Sequence, residues 1–319
     1  MTQNKIPLTI IGGYLGAGKT TLINRLLRHN EGRRLAVIVN DFGRINIDAE
    51  LIESRDGDTI NLANGCICCT LGGDLAMTLL NLAESANPPD HVIIEASGVA
   101  DPAQVAQYGH MPGLRLDGVI VLADAEMVRQ KARDKYVGEQ VRQQLRAADV
   151  LLLNKVDLAT PESRRAVRAW LAEQVPGARI VETVQGNAPL PLLLGEEGAR
   201  PFTPGEQMAT AVPPATKHHH DLAYETWSWE GREPVQEAAF RAFVAQLPAG
   251  VIRGKGILHL AGEPERRAIF QLVGQRWNLK PGEPWGDTPP QSRLALIGLP
   301  GSLDSARLAA AFEQMAGIE

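Results

Sequence analysis

The feature that most limits the fold of this chain lies near its N-terminus, in the stretch Gly13-Tyr-Leu-Gly-Ala-Gly18-Lys19-Thr20. It fits the pattern GxxxxGK[ST], follows the apolar run at residues 8–13, and opens an amphipathic helical pattern at residues 19–28. Glycines let consecutive backbone N–H groups surround a phosphate, and a helix N-terminus adds a favourable dipole. The pattern therefore predicts a phosphate-binding P-loop, and an incidental glycine-rich turn is a poor alternative in this context.

Short apolar runs alternate with helical patterns through the first half of the chain. This alternation predicts the α/β class, with a mostly parallel sheet covered by helices. The predicted strands span residues 8–13, 35–40, 91–95, 118–123, 150–154 and 179–182, and the predicted helices span residues 19–28, 74–85, 140–147 and 163–174.

The pattern changes near residue 200, where prolines interrupt any periodicity. A β-α-β-β-β-α order follows, which predicts a small α+β domain. Its strands are expected at residues 222–230, 250–261, 268–279 and 293–299, and its helices at residues 235–247 and 304–315. We therefore divide the chain into a P-loop domain at residues 1–200, a linker with a histidine run at residues 201–220, and a C-terminal α+β domain at residues 221–319.

Composition limits the partners and the location. The net charge is −5, so the overall charge does not favour nucleic acid or an anionic membrane. The apolar runs are far shorter than the roughly 20 residues that span a bilayer, and residues 1–7 lack the apolar stretch of a signal peptide. We expect a cytoplasmic protein with no nucleic-acid or membrane partner. The oligomeric state stays open, with a homodimer among the alternatives.

A second motif, Asn154-Lys155-Val156-Asp157, follows the apolar run at residues 150–153. It resembles the NKxD motif that recognises guanine in GTPases. The Asp157 carboxylate can accept hydrogen bonds from guanine N1–H and the 2-amino group, a donor pair that adenine lacks. At the end of a later strand of a P-loop domain, this motif predicts that the nucleotide is GTP, although a polar turn after a strand would look similar.

The remaining nucleotide contacts follow from the P-loop itself. Lys19 is expected to reach the β- and γ-phosphates, and the Thr20 hydroxyl is expected to bind Mg²⁺. Glu95, at the end of a predicted strand, can hold the Mg²⁺ shell or orient water, and Gly98 lets a backbone N–H approach the γ-phosphate. The catalytic candidates are thus Lys19, Thr20, Glu95 and Gly98, and the other P-loop residues expected at the nucleotide are Gly13, Gly16, Ala17, Gly18 and Thr21.

A switch loop is expected after the second predicted strand. Asp41 and Asp48 lie there, and we expect them to take part in the response to nucleotide or metal.

The chain has three cysteines, Cys66, Cys68 and Cys69. A secreted disulfide framework would spread an even number along the chain. Thiolates at this spacing can converge on one soft ion such as Zn²⁺, and three of them leave a tetrahedral position open, which suits metal exchange. Two alternatives are that the cysteines are small buried apolar residues, or that Cys66 and Cys69 form a redox pair.

Taken together, these motifs resemble those of the CobW-like metal-handling GTPases, relatives of the urease and hydrogenase accessory GTPases. The C-terminal Arg253-Gly-Lys255-Gly256 stretch and the histidine run before it also resemble this family. The strings that carry the resemblance are GGYLGAGKTTLINRLL, VNDFGRINIDAEL, NGCICCTLGGDL, EASGVADP and NKVDL.

The resemblance implies a mechanism. GTP and Mg²⁺ bind the P-loop, a metal binds Cys66, Cys68 and Cys69, and hydrolysis with slow intrinsic turnover releases the metal to a client metalloprotein. Zinc is the metal expected first, with Co²⁺ or Ni²⁺ as alternatives. The open alternatives in function are cobalt insertion in cobalamin synthesis, a metal-buffering or sensing protein that uses GTP as a conformational ligand, and a redox-regulated GTPase.

Two positions depart from the family pattern. Arg44 stands where many relatives have a glutamate proposed as a metal ligand, and Asp41 stands where relatives usually have glutamate. The fourth metal ligand is therefore open between Asp41, water, a nucleotide-linked group and none. The run His218, His219 and His220 is a second metal candidate, with an incidental polar run as the alternative.

Other residues carry weaker signals. Trp227 and Trp229 should face the same side of a strand and belong to the core. Arg253 and Lys255 also share a strand face, which is either solvated or able to meet phosphates or an acidic client. The other histidines are expected in packing or surface roles, namely His29, His91, His110 and His259.

Overall fold

Our structure of the protein is a computed structural model, and it describes residues 5–30, 32–39, 59–61, 73–195 and 224–315. The predicted linker and its histidine run lie outside these ranges. The domain boundaries at residues 200 and 221 therefore stay predictions.

A parallel sheet forms the first part of the fold. Its strand order is β3-β2-β4-β1-β5-β6-β7, and every recorded pair is parallel. The six predicted strands and the parallel arrangement are confirmed, whereas β3 was missed because three residues are too few to show a period. The strands are β1 (Ile6–Gly13), β2 (Leu35–Val39), β3 (Thr59–Asn61), β4 (His91–Glu95), β5 (Leu114–Asp124), β6 (Val150–Asn154) and β7 (Arg179–Thr183).

Helices cover both faces of this sheet. Leu22 and Ile23 of the first helix pack on one face, and Val141 and Leu145 pack on the other. The four predicted helices are confirmed within two residues at each end, but three short α-helices in the described part of the chain were not predicted. The helices are α1 (Lys19–Arg28), α2 (Gly73–Glu84), α3 (Pro102–Ala106), α4 (Val128–Arg133), α5 (Gly138–Arg146), α6 (Pro161–Gln174) and α7 (Leu190–Leu194).

A second, antiparallel sheet has the order β11-β10-β9-β12-β8. Two helices cover one face of this sheet. Phe312, which lies on the second of them, is at the centre of the core between the helices and the sheet. The ring centroids of Trp227 and Trp229 lie 5.8 and 4.5 Å from that of Phe312, which confirms their predicted common side. The elements are β8 (Glu225–Gly231), α8 (Glu237–Ala245), β9 (Val251–His259), β10 (Arg266–Val273), β11 (Arg276–Pro284), β12 (Ser292–Gly298) and α9 (Ser305–Met315).

The prediction of one strand at residues 268–279 is wrong. The chain turns back at Gly274, whose φ is 58°, and Val273 pairs directly with Arg276. The two-residue turn needs a positive φ at its first position, which glycine supplies. The C-terminal domain therefore has one more strand than the sequence pattern indicated, while its α+β class is confirmed.

The C-terminal sheet packs against the amino ends of the parallel strands. Arg253 of β9 is 3% exposed, and its Nη1 lies 2.6 Å from Asp117 Oδ2 of β5. Its Nε donates to the carbonyl oxygen of Leu192, and its Nη2 donates to that of Leu193. Both expectations for Arg253, a solvated face or contact with phosphates, are therefore wrong, because the side chain is buried between the domains.

The four histidines take the packing or surface positions expected of them. His91 and His259 are buried at 0% and 9% exposure, whereas His29 and His110 are exposed.

Within the described ranges, none of the helices combines the length and the apolar character needed to cross a membrane.

Candidate nucleotide-binding site

The turn between β1 and α1 has the backbone geometry of a phosphate cradle. Gly13 and Gly18 have φ values of 133° and 104°, which other residues rarely adopt. A Cβ on Gly13 would lie 2.5 Å from the carbonyl oxygen of Leu122, and one on Gly18 would overlap Asn154 Nδ2. Both positions therefore require glycine, as the motif predicted.

The N-terminus of α1 suits an anion. No side chain caps its first turn and no acidic residue lies there. Lys19, the first helical residue, is 6% exposed, and Thr20 Oγ1 lies 3.5 Å from Glu95 Oε1. The first turn thus offers backbone N–H groups, a cation and a hydroxyl beside a carboxylate.

Asn154, at the end of β6, connects the P-loop to the end of β7 and the loop after it. Its Nδ2 donates to the carbonyl oxygen of Ala17 at 2.9 Å. Its Oδ1 accepts from Thr183 Oγ1 at 3.0 Å and from the Gly186 N–H at 2.9 Å. The side chain is buried, and each of these bonds joins it to another segment of the same chain. Asn154 therefore holds the P-loop against the loop after β7, and sequence reasoning missed Thr183 and Gly186 because they lie far along the chain.

Lys155 is held by a residue that the motifs did not indicate. Its φ is 62°, and its Nζ lies 2.8 Å from Asp124 Oδ2 at the end of β5. Asp124 also accepts hydrogen bonds from the N–H groups of Glu126 and Met127 at 2.9 and 3.1 Å. Asp157 lies exposed in the same turn as Lys155. The position of Asp124 at the carboxyl end of a predicted strand was the one signal that could have identified it.

The loop after β4 touches the P-loop. Gly98 is buried, and a Cβ there would lie 2.5 Å from Leu15 Cδ2 and 3.0 Å from the Leu15 backbone nitrogen. Glu95 pairs in register with Ile11 of β1 and is 1% exposed. The structure thus brings the predicted Glu95–Gly98 stretch directly beside Gly13–Thr20.

A cavity of about 280 Å³ lies next to this site. Residues 14–17 of the P-loop form one wall, and side chains of α4 and α5 form another. Asp124 and Lys155 also line it, whereas Lys19, Thr20 and Asp157 do not. The cavity therefore adjoins the Lys155–Asp124 pair rather than the first turn of α1.

The predicted nucleotide residues meet at the carboxyl edge of the parallel sheet, whereas the predicted metal residues cannot be placed. Among the described residues, no group of three or more His, Cys, Asp or Glu side chains is arranged to hold a metal ion. The metal candidates and the departure at Arg44 lie outside the described residues, namely Asp41, Asp48, Cys66, Cys68, Cys69, His218, His219 and His220.

The parallel sheet, the glycine geometry at the first turn and the turn at Asn154 define a P-loop GTPase fold with an appended α+β domain. Residues 7–182 match the family described as CobW/HypB/UreG, nucleotide-binding domain. Residues 224–316 match the cobalamin synthesis protein cobW C-terminal domain. The chain therefore belongs to the CobW/HypB/UreG family of P-loop GTPases, which confirms the resemblance seen in its motifs.

Similar proteins cover nearly the whole chain. "Zinc chaperone CobW" of Pseudomonas aeruginosa is 34% identical, over 97% of this chain and 91% of that protein. "Zinc chaperone YjiA" of Escherichia coli strain K12 is 30% identical, over 93% of this chain and 95% of that protein. A solved structure described as the Zn(II)-bound YjiA GTPase from E. coli is 25% identical, covers 98% of this chain and 99% of that chain, and has a TM-score of 0.47.

Proposed function

We propose that this protein is a cytoplasmic GTP hydrolase that acts as a metallochaperone. It would couple GTP binding and slow hydrolysis to the binding of a divalent metal, zinc in the first place, and to its transfer to a client metalloprotein. The observation that carries the proposal is the bond from Asn154 to the carbonyl oxygen of Ala17, which joins the guanine motif to the P-loop in one site. The names of the zinc-chaperone relatives support the choice of metal.

The first turn of α1 would hold the phosphates through its backbone N–H groups and Lys19. The Thr20 hydroxyl and the Glu95 carboxylate are hard oxygen ligands 3.5 Å apart, and they fit Mg²⁺. When bound, Mg²⁺ would neutralise charge that develops on the phosphates. Gly98, buried against Leu15 of the P-loop, would direct its N–H toward the γ-phosphate.

Strand register supports coupling between nucleotide and metal. Val39 pairs with Glu95 on one side and with Asn61 on the other. The chain segments that follow Val39 and Asn61 carry Asp41, Asp48 and the three cysteines. Both segments therefore start from the same edge of the sheet as Glu95, and the proposed coupling would begin at these two strand ends.

The metal assignment is tested by zinc stoichiometry. Cys68→Ala should lose tight zinc binding, because two thiolates form a weaker soft-metal site than three. The control replaces His218, His219 and His220 with alanine, and it should keep tight binding. Zinc would be measured by elemental analysis after gel filtration and by competition with a chromophoric chelator. Unchanged affinity in Cys68→Ala, with loss in the histidine variant, would move the site to the histidines.

Guanine recognition and coupling need a separate measurement. Asp157→Asn should lower the preference for GTP over ATP by roughly tenfold or more, since the amide cannot accept both guanine hydrogen bonds. Lys19→Ala should lose nucleotide binding or turnover.

In the unchanged protein, zinc should alter GTP turnover. If zinc leaves both turnover and nucleotide affinity the same, the coupling is wrong, and GTP binding without any hydrolysis would favour a metal buffer or sensor.

A further inference from the structure

Helix α5 holds the loop that follows β4. Gln144 donates through Nε2 to the carbonyl oxygens of Gly98 and Ala100, at 3.0 and 2.9 Å. One turn earlier on the same helix face, Gln140 Nε2 donates to the carbonyl oxygen of Val99. Three successive backbone carbonyls of this loop are therefore bonded to glutamines of one helix, far away in sequence.

The position of Gln144 is otherwise apolar. Its neighbours Val141 and Leu145 belong to the core, and Gln144 itself is 2% exposed. Its Oε1 has no hydrogen-bond partner in the described part of the chain, which makes burial of the amide costly. Leucine or methionine would fill such a position without that cost. The amide therefore contributes through its two bonds to the loop rather than through packing.

Those bonds act on the residue that meets the P-loop. Gly98 lies between Leu15 on one side and Gln144 on the other. The Gly98 N–H shares its peptide plane with the carbonyl of Ser97, which accepts from the Ala100 N–H at 2.9 Å. Because Gln144 holds the carbonyls of Gly98 and Ala100, it limits rotation of this turn and with it the direction of the Gly98 N–H. A preset donor at this point stabilises a γ-phosphate without reorganisation when GTP binds.

We propose that Gln144 is a positioning residue that sets Gly98 for recognition of the γ-phosphate, so that discrimination of GTP from GDP and the rate of hydrolysis depend on its amide N–H groups. The inference rests on the proposed GTPase function and assigns it a further residue. The expected effect on affinity is limited to nucleotides that have a γ-phosphate, because GDP has no group at that position.

The test uses the full-length protein with Gln144→Met, which has a similar length and no donor. We expect the affinity for a non-hydrolysable GTP analogue to fall roughly tenfold, the effect of about one net hydrogen bond. The affinity for GDP should stay within about twofold, and kcat should fall more than KM changes. Affinities would be measured with fluorescent nucleotides, and turnover by phosphate release.

Two further variants separate positioning from packing. Gln144→Leu also lacks a donor but has a different shape, so it should behave like Gln144→Met if the hydrogen bonds rather than the packing are responsible. Gln143→Met is the matched control, because Gln143 is exposed and donates at 2.8 Å to the Asp101 side chain rather than to the loop backbone. It should leave both affinities unchanged.

The outcomes are distinct. Equal losses of GTP-analogue and GDP affinity in the Gln144 variants, or no loss at all, would overturn the positioning role and leave the proposed GTPase function intact. Failure of the unchanged protein to bind GTP would overturn both.

Discussion

At the scale of single residues, buried polar side chains form two groups at opposite ends of the parallel sheet. Lys19, Glu95 and Asn154 lie at the carboxyl end, where the candidate nucleotide site is. His91 and Asp117 lie toward the amino end, where Arg253 of the C-terminal domain enters. Burying such groups costs free energy unless they are bonded. Asp117 is bonded to Arg253 across the domain interface, whereas His91 is bonded to Thr9 within the parallel sheet. The second group therefore contributes to stability rather than to nucleotide chemistry.

His91 should make the protein sensitive to mild acid. Burial, aided by the positive charge of Arg253, lowers the pKa of His91 to about 3, and its Nε2 lies 2.8 Å from Thr9 Oγ1. Its pKa in an unfolded chain is about 6.5. Between these values the unfolded chain binds a proton that the folded chain does not. The free energy of unfolding therefore falls as pH drops below about 6.5, by up to roughly 1.4 kcal/mol per pH unit.

Urea unfolding at pH 7 and pH 5 would measure this slope. His91→Gln should remove the contribution of this residue, whereas His29→Gln, at an exposed position, should keep the slope of the unchanged protein.

The titration of Asp117 does not affect the slope between pH 7 and pH 5. Burial alone would raise its pKa, but Arg253 and other neighbouring cations hold that pKa well below its usual range. Its contribution is present above about pH 4 and is lost only below it. An equal slope in His91→Gln would show that His91 is not the responsible group.

At the scale of elements, the sequence pattern was sufficient to predict a helix or strand whose apolar run or periodicity lies within one chain segment. The strands of the parallel sheet are continuous apolar runs, and α1 and α6 show a clear helical period, so both kinds were predicted. The hairpin at Gly274 was missed because apolar residues continue on both sides of the turn. In the site, the glycines and Asn154 follow from motifs, but Asp124 and Gln144 do not, since their roles depend on loops from other strands.

The β10–β11 turn gives a prediction at this scale. A Cβ on Gly274 would overlap the carbonyl oxygen of Asp149, a backbone atom of the other domain that cannot move aside easily. Gly274→Ala should therefore lower the free energy of unfolding by about 1 kcal/mol for the positive φ, and by at least about 2 kcal/mol more for the overlap. Urea denaturation followed by circular dichroism would measure both contributions together.

Gly286→Ala is the matched control for this turn. Gly286 has nearly the same φ, 57° against 58° for Gly274, but its Cβ would meet nothing within 4 Å. It should lose only the contribution of the backbone, about 1 kcal/mol. Equal losses in the two variants would mean that the approach of Gly274 to Asp149 is looser than the structure shows.

At the scale of the whole molecule, the two domains share a core. Ile252, Val273 and Ile297 of the C-terminal sheet belong to the same buried cluster as Leu152 and Leu192 of the nucleotide domain. Arg276 pairs with Asp149 beside this cluster, and Arg179 donates to the carbonyl oxygen of Gly274. This interface lies at the end of the strands opposite the P-loop. Among the described residues, these contacts of the C-terminal domain therefore lie away from the candidate nucleotide site.

The shared core and the buried Arg253–Asp117 pair predict that the domains unfold together. Arg253→Met should lower the free energy of unfolding by about 3–5 kcal/mol, because Asp117 would stay buried with its main cation removed. Arg253→Met combined with Asp117→Asn should recover a large part of that loss, since a neutral amide costs less to bury than a carboxylate. Arg165→Met is the control, because Arg165 and Glu162 form an exposed pair, 72% and 75% accessible, which contributes about 0–1 kcal/mol.

Calorimetry would report both the midpoint and the cooperativity of unfolding. The unchanged protein should show one transition whose van't Hoff and calorimetric enthalpies agree. In Arg253→Met the transition should move to lower temperature or divide in two, because the interface loses its central bond while each domain keeps its own core. Two transitions in the unchanged protein would mean that the interface is weaker than its buried contacts indicate. Full stability in Arg253→Met would mean that Asp117 is adequately neutralised by Arg115, which lies 3.2 Å away.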